Sequence, residues 1–161
     1  NKNIILAAEQ VKKLLGDRVE VLPTTNAAQG MSALLAFNKD RSLAENRAAM
    51  EQRIAGVHEA AVSVAVRDSV VNGLSVRAGN YLGLADGKVV LVGPACEPLL
   101  LALIKRELPS AAELISLYYG SELAEPAANQ LADAVQAAYP ALAVEVYAGG
   151  QPHYPLLLMF E

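Results

Sequence analysis

The sequence predicts an α/β (α+β) fold made of two small subdomains, and three features carry this prediction. Apolar residues follow helical spacing over most of the first part of the chain. Residues 62–66 instead alternate Val with Ser or Ala, which is the period of a half-buried strand. The strongest short hairpin signals, Asn72-Gly73 and Asp86-Gly87, also lie in this later part. We therefore predict subdomains at residues 1–56 and 57–161.

The first subdomain is predicted to contain three helices and one strand. A helix at residues 4–15 carries its apolar residues on one stripe and stops at a glycine: Ile4, Ala8, Val11, Leu14, Leu15, Gly16. Val19–Leu22, followed by Pro23, is expected to be a buried strand. Residues 24–26, Thr-Thr-Asn, offer cap residues for the second helix. Ser42 and Glu45 have the spacing of a capping box, which predicts a third helix at residues 43–55.

One strand cannot form a sheet. Its partner strands are expected either to be missing upstream, which would make residues 1–56 the C-terminal remainder of an α/β subdomain whose N-terminal part is absent from this chain, or to be supplied by the second half of the chain. The start at Asn1-Lys2-Asn3, without an initiator Met, leads us to expect a fragment of a longer protein.

The second subdomain is predicted to open with two hairpins. The turn at Asp86-Gly87 gives cross-strand pairs on one face, Leu84 with Val89 and Leu82 with Leu91. The turn at Asn72-Gly73 instead places Asp68 opposite Arg77, on the face of the strand valines. We expect a bulge near Asp68, because one extra residue in a strand moves the side chains that follow it to the other face of the sheet.

Strands linked by helices complete the second subdomain, giving a mixed sheet of hairpins and helix-linked strands with helices packed on it. The predicted elements are helices at 96–108 and from about residue 126, and strands at 114–119, 142–147 and 156–160. The last helix is expected to bury Leu131, Val135 and Ala138.

Composition favours a folded chain and excludes several functions. Hydrophobic residues make up 53% of the 161 residues, enough to bury a core. The net charge is −4 with no run of Lys or Arg, so neither nucleic acid nor an anionic membrane surface is a favoured partner. The longest apolar run, Leu99–Ile104, is too short to span a bilayer. With no signal peptide and only Cys96, we expect a cytoplasmic protein without disulfides.

Sequence signals for catalysis are missing, and we predict no catalytic residue, metal site or cofactor in this chain. Neither the phosphate-binding loop nor the dinucleotide fingerprint occurs. His58 and His153 lie in separate segments, without the three or four closely spaced ligands that a metal site needs. Cys96 precedes a helix whose dipole could activate a thiolate, but without a base nearby we interpret it as an inert small residue or cap.

Two groups of residues are candidates for binding, each with a structural alternative. Thr24, Thr25 and Gln29 lie between a strand and a helix and could contact an anion or a lipid carboxylate, or they could simply cap the helix. The basic residues Arg67, Arg77 and Lys88 could form a partner-binding patch. Alternatively they are solvated surface charges, with Arg77 paired to Asp68.

Six stretches in this order carry a family resemblance: NKNIILAAEQ at 1–10, QGMSALLAFN at 29–38, AVRD at 65–68, GNYLGLADGK at 79–88, YYG at 118–120 and GGQPHYP at 149–155. Together they resemble the C-terminal domain of the kinase subunit of bacterial fatty acid kinase, a dihydroxyacetone-kinase-like protein. The resemblance runs over the whole chain.

The resemblance implies a DegV-like fold and a division of labour. In that family the upstream domains bind ATP with magnesium and supply the catalytic residues, and the C-terminal domain engages a separate DegV-like acyl-binding protein. The enzyme phosphorylates the bound fatty acid, and the acyl-phosphate enters phospholipid synthesis. This chain is then expected to be a non-catalytic docking domain. The alternatives are a domain that itself holds a lipid or small anion, and a dimerisation module.

Overall fold

The computed structural model describes residues 2–161, which fall into two compact units, the first ending at Val57 and the second covering His58–Glu161. The first unit contains helices α1 (Lys2–Leu15), α2 (Ala27–Ala36) and α3 (Leu43–Ala55), with a 3-10 turn at Gly16–Arg18 after α1. Helix α2 packs against α3. All three predicted helices are therefore present.

The predicted caps explain where two of these helices begin. The side chain of Asn26 accepts a hydrogen bond from the Gln29 N–H at 2.8 Å at the start of α2. At α3 the capping box is complete: Ser42 Oγ accepts the Glu45 N–H at 3.3 Å, and Glu45 Oε2 accepts the Ser42 N–H at 2.9 Å. These bonds satisfy amides that have no partner inside the helix.

The buried Asn46 fixes the connection between α2 and α3. Its Oδ1 accepts the Asn38 N–H at 2.8 Å, and its Nδ2 donates to the backbone carbonyls of Asn38, Arg41 and Ser42 at 2.8, 3.1 and 3.2 Å. A buried amide with all these partners holds the connection in one conformation.

The predicted strand at residues 19–22 is wrong, because this segment is irregular. A strand needs a neighbour to receive its backbone hydrogen bonds, and no strand of the described residues pairs with it. An ion-pair cluster holds it instead. The Glu20 carboxylate accepts Lys12 Nζ of α1 at 2.7 Å and also contacts Arg47 of α3.

The apolar stripe of the first unit is largely exposed. Ile4 and Leu14 of α1 are 69% and 83% exposed, and Leu34 and Leu35 of α2 are 70% and 74% exposed. Exposed apolar patches of this kind are typical of surfaces that bind other polypeptide.

The second unit is a six-stranded mixed sheet with two helices. Its strands are β1 (His58–Val64), β4 (Tyr81–Ala85), β5 (Lys88–Gly93), β6 (Leu114–Tyr119), β7 (Ala143–Ala148) and β8 (Leu156–Phe160), and β2 (Ser69–Val71) and β3 (Leu74–Val76) form a separate ribbon. The helices are α4 (Cys96–Glu107) and α5 (Glu125–Ala138). The sheet order is β5-β4-β1-β8-β6-β7, with β6 and β7 parallel and all other pairs antiparallel.

The core is aliphatic and lies between the sheet and its two helices. Alternate residues of β6 and β8 enter it, as expected from the two-residue period of a strand, and α4 and α5 contribute the opposite layer: Ile115, Leu117, Leu156, Leu158, Phe160, Leu100, Leu103, Ile104, Leu131, Val135. The α/β prediction of a mixed sheet with packed helices is confirmed. No helix of the described residues is long and apolar enough to cross a membrane.

The first predicted hairpin forms, but the expected bulge near Asp68 is wrong. Asn72 and Gly73 make the turn, with φ of 51° and 79°. The chain leaves the main sheet after Val64, and β2 and β3 pair only with each other. Asp68 Oδ1 accepts the Ala78 N–H at 2.7 Å. Because the chain is not a strand between β1 and β2, the hairpin side chains need not point to the same side as those of β1. A bulge is therefore not needed.

The second hairpin carries the irregularity instead. Leu84 pairs with Val89 as predicted, but a register shift after Gly83 places Leu82 opposite Val92, so its predicted pairing with Leu91 is wrong. Gly83 stands opposite Leu91, where an added Cβ would lie 3.2 Å from Leu91 Cβ and Leu103 Cδ1. The close approach of α4 therefore explains the glycine at this shift.

The helix α5 starts with Pro126 in its first turn and buries Leu131 and Val135 as predicted. The prediction for Ala138 is wrong, because this residue is exposed. It is the last residue of α5, directly before the C-cap at Tyr139.

Candidate functional site

One end of the six-stranded sheet gathers most of the irregular, polar backbone of the second unit. The strands β1, β6 and β7 finish there at Val64, Tyr119 and Ala148, and β4 and β8 begin there at Tyr81 and Leu156. We refer to it as the carboxyl end of the sheet. In open α/β sheets, ligands bind at the carboxyl ends of the strands.

A cleft of about 380 Å³ opens at this end, between the starts of α4 and α5. Its wall includes the apolar side chains of Val64, Leu123 and Leu131, and its acidic residues are Glu97 and Glu122. Among the described residues that line it there is no Lys or Arg. Two carboxylates without a cation make the cleft unfavourable for a fatty acid carboxylate, because like charges repel in a partly desolvated site.

Cys96 also lines this cleft, as the first residue of α4. Burial raises the pKa of its thiol, and the neighbouring Glu97 carboxylate raises it further. The thiol is therefore protonated at neutral pH and is a poor nucleophile. This agrees with the interpretation of Cys96 as an inert residue.

The loop at residues 149–155 closes the carboxyl end and is held by many hydrogen bonds. The amide of Gln151 donates from Nε2 to the carbonyls of Tyr118 and Tyr154 at 2.9 and 3.1 Å. The Ser121 N–H donates to Gln151 O at 3.0 Å, and the Gly120 N–H donates to Pro155 O at 3.0 Å. Gln151 thus acts as a staple between the end of β6 and the start of β8.

Two glycines allow this loop to approach the sheet. A Cβ on Gly120 would overlap the carbonyl oxygen of Tyr154 and lie 2.5 Å from that of Gln151. A Cβ on Gly149 would overlap the Gln151 side chain. The sequence contains a repeated Tyr-(Tyr/Ala)-Gly ending on two strands, and the structure pairs Tyr118 with the stacked Tyr147 at a ring separation of 5.2 Å.

His153 lies in this loop with a left-handed backbone, φ 67°. Its carbonyl accepts a hydrogen bond from Ser63 Oγ of β1 at 2.9 Å, which joins the loop to the centre of the sheet. The side chains of His153 and Tyr154 are both exposed, Tyr154 by 38%. His58, by contrast, opens β1 at the opposite end of the sheet, opposite Phe160.

The three predicted basic residues lie around the small β2–β3 hairpin. Arg67 and Arg77 flank its open end, as the pairing of Ser69 with Val76 requires. Lys88 lies beyond its turn, where Asn72 Nδ2 donates to Val89 O at 3.0 Å. All three side chains are exposed. The structure therefore places Arg67 and Arg77 just outside the open end of the hairpin and Lys88 a hairpin length away, about 10 Å at roughly 3.3 Å per residue.

In the second group Thr25 and Gln29 bond to each other beside the start of α2, whereas the Thr24 N–H donates to Leu22 O at 2.8 Å. Gln29 Oε1 accepts hydrogen bonds from the Thr25 N–H at 2.8 Å and from Thr25 Oγ1 at 3.2 Å. The polar atoms that would face an anion are thus partly used within the turn. Within residues 2–161, no group of three or more His, Cys, Asp or Glu could hold a metal ion.

The sequence pattern did not predict a role for Gln151, Ser63 or His153. The segment GGQPHYP is visible there, but its function as a staple depends on carbonyls from β6 and a hydroxyl from β1 that are distant along the chain. In the sequence, the pair of glycines close to a proline is typical of a turn and says nothing about which segments the turn contacts.

The comparisons with known proteins agree with one another. A protein-family model described as FakA-like, for the C-terminal part of a fatty acid kinase component, matches residues 1–161. Uncharacterized proteins of Staphylococcus epidermidis and Staphylococcus aureus are each 29% identical to this chain over 161 residues, which is all of this chain. The chain spans only 29% of the length of these curated relatives.

Two solved structures share the fold. A DegV family protein from Thermus thermophilus, described as binding fatty acid, has a TM-score of 0.60 and 15% identity, with 98% of this chain and 66% of that chain covered. A DegV family protein from Eubacterium eligens, loaded with heptadecanoic acid, has a TM-score of 0.50 and 16% identity, with 83% and 55% covered. The likeness shows the fold, and it confirms the prediction of a DegV-like architecture.

Proposed function

This chain belongs to the FakA-like C-terminal family of fatty acid kinase, and on this premise we propose that it is the docking domain of a kinase subunit. Its partner would be a DegV-like acyl-binding protein, whose bound fatty acid is phosphorylated by other domains of the same kinase with ATP and magnesium. The observation that carries the proposal is the family match over residues 1–161.

The chemistry of the described residues supports a domain that contributes no catalytic group. The one thiol, Cys96, has a raised pKa. The two histidines lie at opposite ends of the second unit, so at least one of them is remote from any given reacting centre. Docking needs no such groups, because holding the acyl carrier beside the kinase domains raises its effective concentration.

The charge distribution supports the β2–β3 hairpin as part of the docking surface. His58–Glu161 contains five basic and eleven acidic residues, and three of the five basic ones are Arg67, Arg77 and Lys88. Beside them Val66 and Val70 are 91% and 73% exposed. A basic and apolar patch on an otherwise acidic unit suits an acidic partner surface, and such complementarity steers association and fixes register.

The test is calorimetric titration of this chain with the acyl-loaded DegV family protein encoded in the same genome. The double variant Arg67→Glu/Arg77→Glu should bind at least about tenfold more weakly, and wild-type affinity should fall with salt. The matched control is Lys105→Glu/Arg106→Glu on the last turn of α4, which changes the net charge equally and should retain wild-type affinity within about twofold.

No binding of the wild-type chain at tens of micromolar would refute docking. Equal weakening by both double variants would remove the hairpin from the interface, because the effect would then follow net charge alone.

The alternative functions make different predictions. A lipid-binding domain should co-purify with fatty acid, detectable by mass spectrometry, although the Glu97 and Glu122 carboxylates in the cleft disfavour this. A dimerisation module should sediment as a dimer in the absence of any other protein.

A further inference from the structure

We infer that the loop at residues 149–155 is a preformed recognition element, and that His153 and Tyr154 contact the protein partner. The inference rests on the docking function proposed above and assigns part of its surface to these two side chains. It is carried by the hydrogen bonds that hold the loop, by the backbone of His153 and by the bond that anchors the loop on β1, the strand that precedes the basic hairpin.

The loop is held by contacts within the second unit. The Gln151 side chain ties it to β6, its backbone accepts the N–H of Ser121, two residues after β6, and it accepts Ser63 Oγ of β1. Gly120 and Gly149 leave no space for a side chain beneath it. A segment fixed in this way loses little conformational entropy on binding, which favours affinity.

His153 occupies a conformation that a glycine would adopt without strain. At φ 67° a residue with a Cβ is disfavoured. Five glycines of the chain occupy positive φ, and the other two non-glycine residues that do so, Asn72 and Asp86, lie in the hairpin turns. Retained strain of this kind clusters at sites where a side chain is needed. The imidazole of His153 is exposed and is not needed for the loop contacts, since the Ser63 bond uses only the His153 carbonyl.

The loop is anchored on β1 shortly before the chain enters the basic hairpin. Ser63 joins His153 to β1, and three residues further along the chain Val66 is 91% exposed and is followed by Arg67. Tyr and Arg are the residue types that dominate the energetics of protein interfaces. An imidazole, a phenol and a guanidinium beside an apolar side chain fit an acidic partner face with a shallow apolar depression.

The experiment measures affinity for the acyl-loaded DegV family protein together with the thermal midpoint of each variant. His153→Gly removes the side chain and the strain together. It should weaken binding at least about fivefold, while the midpoint is unchanged or rises by about 2 °C or more. Tyr154→Ala should weaken binding about tenfold or more. The control is His58→Ala, an exposed histidine at the opposite end of the sheet, which should bind like the wild-type chain.

The outcomes separate this inference from the docking function. If the wild-type chain binds and both His153→Gly and Tyr154→Ala bind equally well, the loop is not the recognition element and docking stands. If the wild-type chain does not bind, docking and the loop assignment both fall. Weaker binding by His153→Gly with an undiminished thermal midpoint supports the inference, because a merely structural histidine would not give this combination.

Discussion

Replacing Gly120 by Ala tests how the carboxyl end of the sheet is built. The added Cβ would lie 2.5 Å from Gln151 O and would overlap Tyr154 O, whereas real Cβ atoms stay beyond 3.0 Å. Both oxygens belong to backbone, which cannot rotate away as a flexible side chain can. The loop at residues 149–155 must therefore move by about half an ångström or more, and backbone shifts forced by overpacking are destabilising.

The expected cost follows from the bonds that this movement strains. The Gly120 N–H to Pro155 O bond and the Ser121 N–H to Gln151 O bond are both 3.0 Å long. Each contributes about 0.5–1.5 kcal/mol, and overpacking adds about 1–3 kcal/mol. We expect Gly120→Ala to lower the free energy of unfolding of the second unit by about 2–4 kcal/mol.

The assay is urea unfolding followed by tyrosine fluorescence. All six tyrosines lie within His58–Glu161 and the chain contains no Trp, so the signal reports the second unit alone. The matched control is Gly30→Ala in α2, where no atom lies within 4 Å of the added Cβ and φ is not positive. This control should stabilise the first unit by about 0.5–1 kcal/mol, measured by circular dichroism. A Gly120→Ala variant within about 0.5 kcal/mol of wild type would refute the reasoning.

Three further predictions concern named side chains. Asn46→Ala should destabilise the first unit by about 2 kcal/mol in urea unfolding, because backbone groups of the α2–α3 connection lose their hydrogen-bond partner. An unchanged midpoint of the urea transition would contradict this. The pKa of Glu20 is lowered, chiefly by the hydrogen bond from Lys12 and also by Arg47. The stabilising effect of the ionised Glu20 is present above its unfolded-state pKa and is lost as the pH falls through its folded-state pKa. Glu20→Gln should therefore flatten the acid side of a curve of unfolding free energy against pH. An unaltered acid side would contradict a stabilising ion-pair cluster of Glu20 with Lys12 and Arg47. The pKa of Cys96 is raised by burial and Glu97. Its contribution is present below the unfolded-state pKa and is lost as the pH rises through the folded value. A thiol-reactive chromophore should therefore label Cys96 slowly at neutral pH, and labelling as fast as in the unfolded chain would exclude the assignment.

The local chemistry of the sequence determined the helices, their caps and the two hairpin turns. Asn26, Ser42 and Glu45 act on amides within a few residues of themselves, and Asn72-Gly73 and Asp86-Gly87 tolerate positive φ wherever they stand. Such features depend on short-range sterics and hydrogen bonds, so the order of residues was sufficient to predict them. The ordered stretches of sequence also carried the family resemblance that the comparisons confirm.

The tertiary structure decided which distant segments of the chain form hydrogen bonds with each strand and loop. Residues 19–22 have the apolar character of a strand but pair with no strand in the described part of the chain, and the hairpin at residues 69–76 left the main sheet because β1 ends at Val64. The staple of Gln151 joins residues that are about thirty positions apart. A strand or a loop of this kind is fixed by hydrogen-bond acceptors supplied from distant segments, and the periodicity of a sequence does not say which segment supplies them.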